Sequence, residues 1–288
     1  MGLYLVHPQF NKYRCFFSQN YFTFTTYKSI SPGATKSGII SMNLQQEQTI
    51  LISFFQFPPE KRIRAMMQMA LIPPKLKNIE GLTFYKMLGT GGGSGYGFKP
   101  DFRTYALLTV WNDQQKALSF EENSRIMSFF RKHTNEIYSL FLRPIQSRGT
   151  WSRVNPFHSS AKATEEKIIV VLTRATLKLR YYIPFWKRVH GVSKSHEGLP
   201  GLIFSKGIGE RPWIMQATFS VWNSTEAMLA FAYNKDGKHY EAVSTTKKMK
   251  GFKEELYARF ELIETKGTWR GTDPVKVRVK NSSQPHKT

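Results

Sequence analysis

Side chains able to do chemistry are sparse and scattered in this sequence. The single cysteine, Cys15, can form no internal disulfide and cannot anchor a cysteine-rich zinc or iron–sulfur site. No Gly-x-Ser-x-Gly elbow and no His-Glu-x-x-His pair occurs, so nucleophilic and zinc-dependent hydrolysis lack their machinery. Of seven histidines, only His133, His190 and His239 fall on or beside predicted helices within the repeated part of the chain. A neutral imidazole can ligate a metal or pass a proton near neutral pH. His239 stands apart, because it lies in a segment that one half of the chain has and the other lacks.

The glycine-rich run GTGGGSGYGF (89–98) invites two nucleotide readings, and the residues refuse both. A dinucleotide fingerprint needs Gly or Ala where Ser94 stands and a helix N-terminus after it, and a phosphate loop needs a Gly-Lys-Ser/Thr ending. Gly95-Tyr96-Gly97-Phe98 is similar to the core of an RNA-recognition strand. Lys99, Pro100 and Asp101 follow, however, and Pro100 would interrupt the strand that has to display the aromatics. No specific nucleic acid is therefore expected.

The elements that must position any site are written twice. Residues 198–223 read as two strands joined by a turn at Gly209 to Pro212, and residues 81–112 repeat them with a longer turn. Gly81, Leu82, Phe84, Lys86 and Gly89 recur as Gly201, Leu202, Phe204, Lys206 and Gly209, and Val110-Trp111-Asn112 recurs as Val221-Trp222-Asn223. Downstream, Glu136, Tyr138 and Phe141 match Glu255, Tyr257 and Phe260, and Gly149-Thr150-Trp151 matches Gly267-Thr268-Trp269. Each copy begins with a strand (48–57; 167–179) and a helix (58–76, opened by Pro59 and closed by Pro73; 181–196, begun near Pro184). After the strand pair come a helix (114–133, with Leu118, Ile126, Phe129 and Phe130 inward; 225–249, interrupted near Asp236 and Gly237) and a last strand (136–151; 254–269).

The order is β-α-β-β-α-β twice over, which predicts an α+β fold of two ferredoxin-like units. Each such sheet has helices on one face and an uncovered second face, so two units in one chain can close face to face into a barrel. That arrangement predicts an enclosed, mostly apolar pocket between the sheets. The expected organisation is a leader (1–46), a first repeat (47–153), a linker (154–166), a second repeat (167–272) and a basic, disordered tail (273–288). The leader contains no Asp or Glu and no helical period. A flexible segment, an organelle-type presequence and a segment upstream of a true start at Met42 all fit it, the last being preferred.

A net charge of +22 over 288 residues implies an anionic partner, either nucleic acid or the surface of a membrane. No apolar run is long enough to span a bilayer as a helix, and the lone cysteine fits a reducing compartment.

Several ordered motifs together give the chain a family likeness. LTRATLKLRYYIPFWKRV, GLIFSKGIGERPWIMQATFSVW, AFAY followed by His239, and EELYARFELIETKGTW resemble spheroidene monooxygenase and its relatives, the acyclic-carotenoid 2-ketolases. The first copy agrees in FYKMLGTGGG, PDFRTYALLTVW and GTWSRVNPF. The resemblance covers about residues 48–271. It implies a dimeric α+β barrel within one chain and an O2-dependent monooxygenase that places oxygen at C-2 of a linear carotenoid. It further implies haem as cofactor, a separate reductase or ferredoxin as electron donor, and a cytoplasmic protein peripheral to an anionic membrane. His239 is the expected iron ligand; Arg174 and Arg211, with Lys206 less specific, are the expected cations for the haem propionates. The competing reading is a non-catalytic duplicated module that binds RNA or a lipid.

Overall fold

Both faces of the first strand are apolar, and each face finds its own core. In β1 (Thr49–Gln56), Ile50, Ile52 and Phe54 join the interior between two sheets, whereas Leu51 and Phe55 pack outward beneath helices. That is why the stretch reads as a continuous apolar run instead of alternating. The computed structural model describes residues 47–92, 100–159, 168–181, 199–211, 215–233 and 251–277.

A short 3-10 turn (Pro59–Lys61) leads into α1 (Arg62–Lys75), followed by β2 (Leu82–Gly91) and β3 (Pro100–Trp111). The first repeat ends with α2 (Gln114–Asn123), α3 (Arg125–His133) and β4 (Glu136–Gly149). The second contributes β5 (Ile169–Leu177), β6 (Leu202–Arg211), β7 (Met215–Trp222), α4 (Thr225–Ala232) and β8 (Phe252–Gly267). The helix expected over 181–196 and most of that expected over 225–249 lie outside the described residues.

Two expectations for the helices change. Helix α1 runs through Pro73 and Pro74 instead of closing before them. The prolines occupy its last turn, where Leu76 N–H still reaches Pro73 O. The single helix expected over 114–133 is two, because Ser124 is extended at ψ 145 and its hydroxyl accepts from Met127 N–H, which caps a new start. Of the side chains expected inward, Ile126 and Phe130 are buried, and Ala117, Phe120 and Met127 join them.

All neighbouring strands are antiparallel in a closed barrel ordered β1-β3-β2-β6-β7-β5-β8-β4. Each repeat supplies four consecutive strands, β4-β1-β3-β2 and β8-β5-β7-β6, the ferredoxin-like order. The seams differ in length. Between β2 and β6 only Gly89↔Gly209 and Thr90↔Ile208 pair, whereas β4 and β8 pair from Tyr138↔Gly267 to Gly149↔Leu256. At the two ends of this long seam, Gly149 (φ +97) and Gly267 (φ +83) cross the opposite backbone so closely that a Cβ would lie 2.1 Å from Glu255 O or Ile137 O. Only glycine fits there.

The long seam also corrects the match between repeats. Because Gly149 faces Leu256 where Gly267 faces Tyr138, the counterpart of Tyr138 is Leu256 and that of Glu136 is Glu254. Matching Tyr138 to Tyr257 by identity slips one residue. A one-residue slip in a strand reverses the face, and Tyr257 accordingly packs with the outer cluster of the second repeat while Tyr138 is interior.

Among the described residues, side chains from both sheets meet in the space between them. Phe54, Phe204, Phe219 and Trp269 form an aromatic nest with ring centroids 5.3 to 6.3 Å apart, and Leu140, Leu172, Ala258 and Phe260 extend it. The Val-Trp-Asn motif is part of the same architecture. Val110 and Val221 point inward; Trp111 and Trp222 point outward, and each indole N–H donates to a hydroxyl two residues back, Thr109 or Ser220.

Candidate functional site

A tryptophan closes the barrel at the end of each repeat, and the two ends differ in charge. Trp151 follows β4 and Trp269 follows β8, each held in a tight turn by an isolated bridge. In both turns a glutamate collects the free donors. Glu254 accepts from Thr150 Oγ1 (3.1 Å) and Arg153 N–H (2.8 Å); its counterpart Glu136 accepts from Thr268 Oγ1 (3.1 Å) and from the N–H groups of Arg270 and Gly271 (2.9 and 2.6 Å). The repeated Gly-Thr-Trp motif is thus explained by folding: glycine for the crossing, threonine for the glutamate, tryptophan for the plug.

What surrounds each plug has diverged. At the Trp151 end, Arg174 of β5 is 3% exposed, lies 5.3 Å from the indole ring, and pairs with Glu254 at 2.7 Å and Glu210 at 3.5 Å. Glu210, on β6, also accepts from Trp151 Nε1 (2.6 Å) and pairs with Lys86 of β2 at 2.9 Å, and Lys86 reaches Ser152 Oγ at 2.7 Å. Two cations and two carboxylates therefore interlock across four strands, a charge-balanced cluster whose partners leave no charge uncompensated. Burial alone would raise the Glu254 carboxyl, but the hydrogen bonds from Arg153 N–H, Arg174 and Thr150 hold it below the usual carboxylate range.

At the Trp269 end the equivalents of Arg174 and Glu210 carry no charge. Phe54 stands where Arg174 does, and Thr90 where Glu210 does. Lys206, the counterpart of Lys86, is 5% exposed and lies 5.1 Å over the Trp269 ring. Among the described residues no acceptor lies within hydrogen-bond reach of its ammonium. Burial pushes the Lys206 pKa down, Asp101 opposes this and Arg270 adds to it. Tyr138, where the other end has Leu256, donates to Asp273 (3.1 Å), and Thr265 Oγ1 donates to the other oxygen of that carboxylate (2.7 Å).

The residues expected at the site fall in three places. Arg174 is buried within the cluster just described. Arg211 is exposed at the end of β6, beside residues 212–214, which lie outside the described set. His239 lies outside the described residues, beyond the end of α4. The structure brings Arg174 together with Glu210, Glu254, Lys86 and Trp151, none of which the sequence reading placed at a site. One signal was present: Glu210 stands where the first copy has Thr90, directly after the shared Gly89/Gly209, in a chain poor in acids.

No iron ligand for a haem stands out among the described residues, and the expected one, His239, lies outside them. The described histidines face away from the barrel interior: His133 bonds Phe129 O and stacks on the Phe129 ring, and His158 is exposed. No group of three or more His, Cys, Asp or Glu that could hold a metal ion occurs among the described residues. Arg174 is paired with Glu254 and Glu210 among the described residues.

Comparison with known proteins decides the family. The chain is 35% identical over 229 residues to spheroidene monooxygenase of Cereibacter sphaeroides, covering 79% of this chain and 71% of that protein. It is 35% identical over 231 residues to spheroidene monooxygenase of Rhodobacter capsulatus, covering 79% of this chain and 95% of that one. The chain belongs to the spheroidene monooxygenase family. A third spheroidene monooxygenase, from Rubrivivax gelatinosus, is 30% identical over 191 residues, with 66% and 73% of the two chains covered. No family model matches the sequence. Among solved structures, aldoxime dehydratase resembles this member of the spheroidene monooxygenase family with a TM-score of 0.52 at 11% identity, over 77% of this chain and 83% of that one. A second aldoxime dehydratase structure gives 0.51 at 10% identity, over 76% and 80%. These likenesses concern the fold, a barrel of two ferredoxin-like halves.

Proposed function

We infer that this chain is an O2-dependent monooxygenase acting on a linear carotenoid. The observation that carries the reading is the 35% identity over 229 residues to a spheroidene monooxygenase, a span too long to come from one repeat alone. This relationship favours an enzyme over a duplicated binding module without catalysis. The finer reading places the oxygen at C-2 and ends in a ketone. Hydroxylation of that C–H bond consumes O2, two electrons and two protons; one oxygen enters the new C–O bond and the other leaves as water. A second round at the same carbon gives a geminal diol, which loses water to become the ketone. The electrons come from a separate reductase or ferredoxin.

Haem is the proposed cofactor, with His239 as its iron ligand and Arg211 and Arg174 as cations for its propionates. What supports it is the family resemblance and the place of His239 in a segment that only the second repeat has. Haem, when bound, supplies the chemistry that activates O2. The chain's own described residues supply a rigid barrel: the interior packing and the pairs of Arg174 with Glu254 and Glu210 fix β5, β6 and β8 against one another. Purified protein produced with haem available is expected to show a Soret band that His239→Ala abolishes or shifts. A colourless, monodisperse protein that gains no band on haem addition would remove haem from the account, and an unchanged spectrum in the variant would remove His239.

The substrate and the charge together support a peripheral membrane enzyme. A linear carotenoid gains roughly 0.8 kcal/mol for each buried carbon unit on leaving water, so it resides in the bilayer. A basic surface is drawn to anionic lipid by about 1 kcal/mol for each Lys or Arg near it. No helix among the described residues is long and apolar enough to cross a membrane.

A further inference from the structure

Helix α1 carries its most apolar face outward. Ala65, Gln68 and Ile72 are buried against the barrel. On the opposite side Ile63 is 64% exposed, Met66 51%, Met67 50% and Leu71 45%. Ala70 and Pro74 are exposed as well. At 3.6 residues per turn, positions 63, 66, 67, 70, 71 and 74 fall on one stripe along the whole length of the helix. Elsewhere among the described residues, large exposed apolar side chains occur singly or in twos along the chain, as on any soluble surface.

The flanks of the stripe are basic. Arg62 lies along one edge and Arg64 and Lys75 along the other, with Lys61 before the helix and Lys77 after it. All of these but Lys61, which is half-buried, are exposed. The helix itself contains no Asp or Glu. An apolar stripe bordered by cations is the pattern of a helix that lies in a lipid interface, its apolar residues among the acyl chains and its Lys and Arg at the headgroups. Two adjacent methionines suit a fluid partner, since their unbranched thioether side chains adapt to an irregular surface.

We propose that the outward face of α1 is the surface by which this protein docks on an anionic lipid bilayer. The choice of a bilayer over a second copy of the chain follows from charge: a self-association across this face would bring two rows of cations together in a protein of net charge +22. An anionic membrane instead offers both complements, hydrocarbon for the stripe and phosphate for its edges. The proposal deepens the peripheral-membrane part of the function proposed above and does not depend on the cofactor.

The test uses the full chain and vesicles of phosphatidylcholine with and without phosphatidylglycerol. Sedimentation with the anionic vesicles is expected, weakening with salt, and the double substitution Met66→Ser/Met67→Ser is expected to weaken it by more than about tenfold. Leu229→Ser, which removes an exposed apolar side chain on α4, serves as the control and is expected to leave it unchanged. An environment-sensitive dye on Met67→Cys, in a Cys15→Ser background, is expected to brighten and shift to the blue with anionic vesicles. Equal sedimentation of the parent and the double variant, a silent dye, or no binding by the parent would each overturn the proposal. So would a parent dimer in light scattering that the double variant dissolves, since the stripe would then be covered by a second copy. Conversion of detergent-dispersed carotenoid by the same variants separates the two readings: loss of docking with conversion intact leaves the oxygenase standing, and absence of conversion with docking intact leaves the surface standing.

Discussion

Arg174 and Lys206 show how far two copies of one design have moved apart. In the second repeat a strand position filled by phenylalanine in the first carries Arg174, and its charge is met by Glu254 and Glu210. In the first repeat Thr90 stands where Glu210 would be, and the Lys206 ammonium lies over the Trp269 indole face. Stability rises with pH in both cases, in different windows, although the Glu254 charge stabilises the fold and the Lys206 charge costs it. The Glu254 carboxyl is held low in the folded state, so its stabilising contribution is present above the ordinary carboxylate pKa and is lost as pH falls through the depressed folded value. Glu254→Gln should lower stability at neutral pH by roughly 3 kcal/mol, because Arg174 loses its nearest partner, and should flatten the acid limb; denaturant melts at several pH values check both. For Lys206 the folded pKa is lowered, so the folded state resists a proton that the unfolded chain takes up readily. Stability then rises with pH between the depressed value and that of free lysine, and the penalty is fully present below both. Lys206→Met should stabilise the protein at neutral pH by about 1 kcal/mol or more and should remove that alkaline gain.

At the scale of elements, the repeated motifs describe how the barrel closes. Gly149 and Gly267 permit β4 and β8 to cross at both ends of the longer seam. Gly149→Ala places a methyl group against Glu255 O at a backbone angle that L residues rarely adopt, and a loss of about 2 to 4 kcal/mol is expected by denaturant melts. Much of this level was legible in the sequence, because shared residues such as Lys86/Lys206 and Trp111/Trp222 marked both copies of the strand pair. The one-residue slip at Tyr138 was not. Identity favoured Tyr257, and only the ladder, which pairs Gly149 with Leu256, shows which face each residue takes. Helix α1 running through Pro73 was likewise hidden, since a proline in a last turn sacrifices few hydrogen bonds.

For the whole molecule, the fold class followed from the repeat, while the aromatic packing between the sheets did not. An alternating pattern says which side chains point inward but not whether their volumes leave a cavity, and here Phe54, Phe204, Phe219 and Trp269 meet across the barrel. The cluster around Arg174 was invisible for a related reason, since Lys86, Glu210 and Glu254 come from three strands far apart in sequence. The function proposed for the whole rests on kinship spanning both repeats and is open to one decisive measurement. Cells that make a linear carotenoid, expressing this chain under isotopically heavy dioxygen, should accumulate a ketone whose oxygen carries the heavy isotope. Unchanged carotenoid in cells containing folded protein and an active electron donor, or a ketone whose newly formed oxygen comes from water under conditions that suppress carbonyl exchange, would contradict the account.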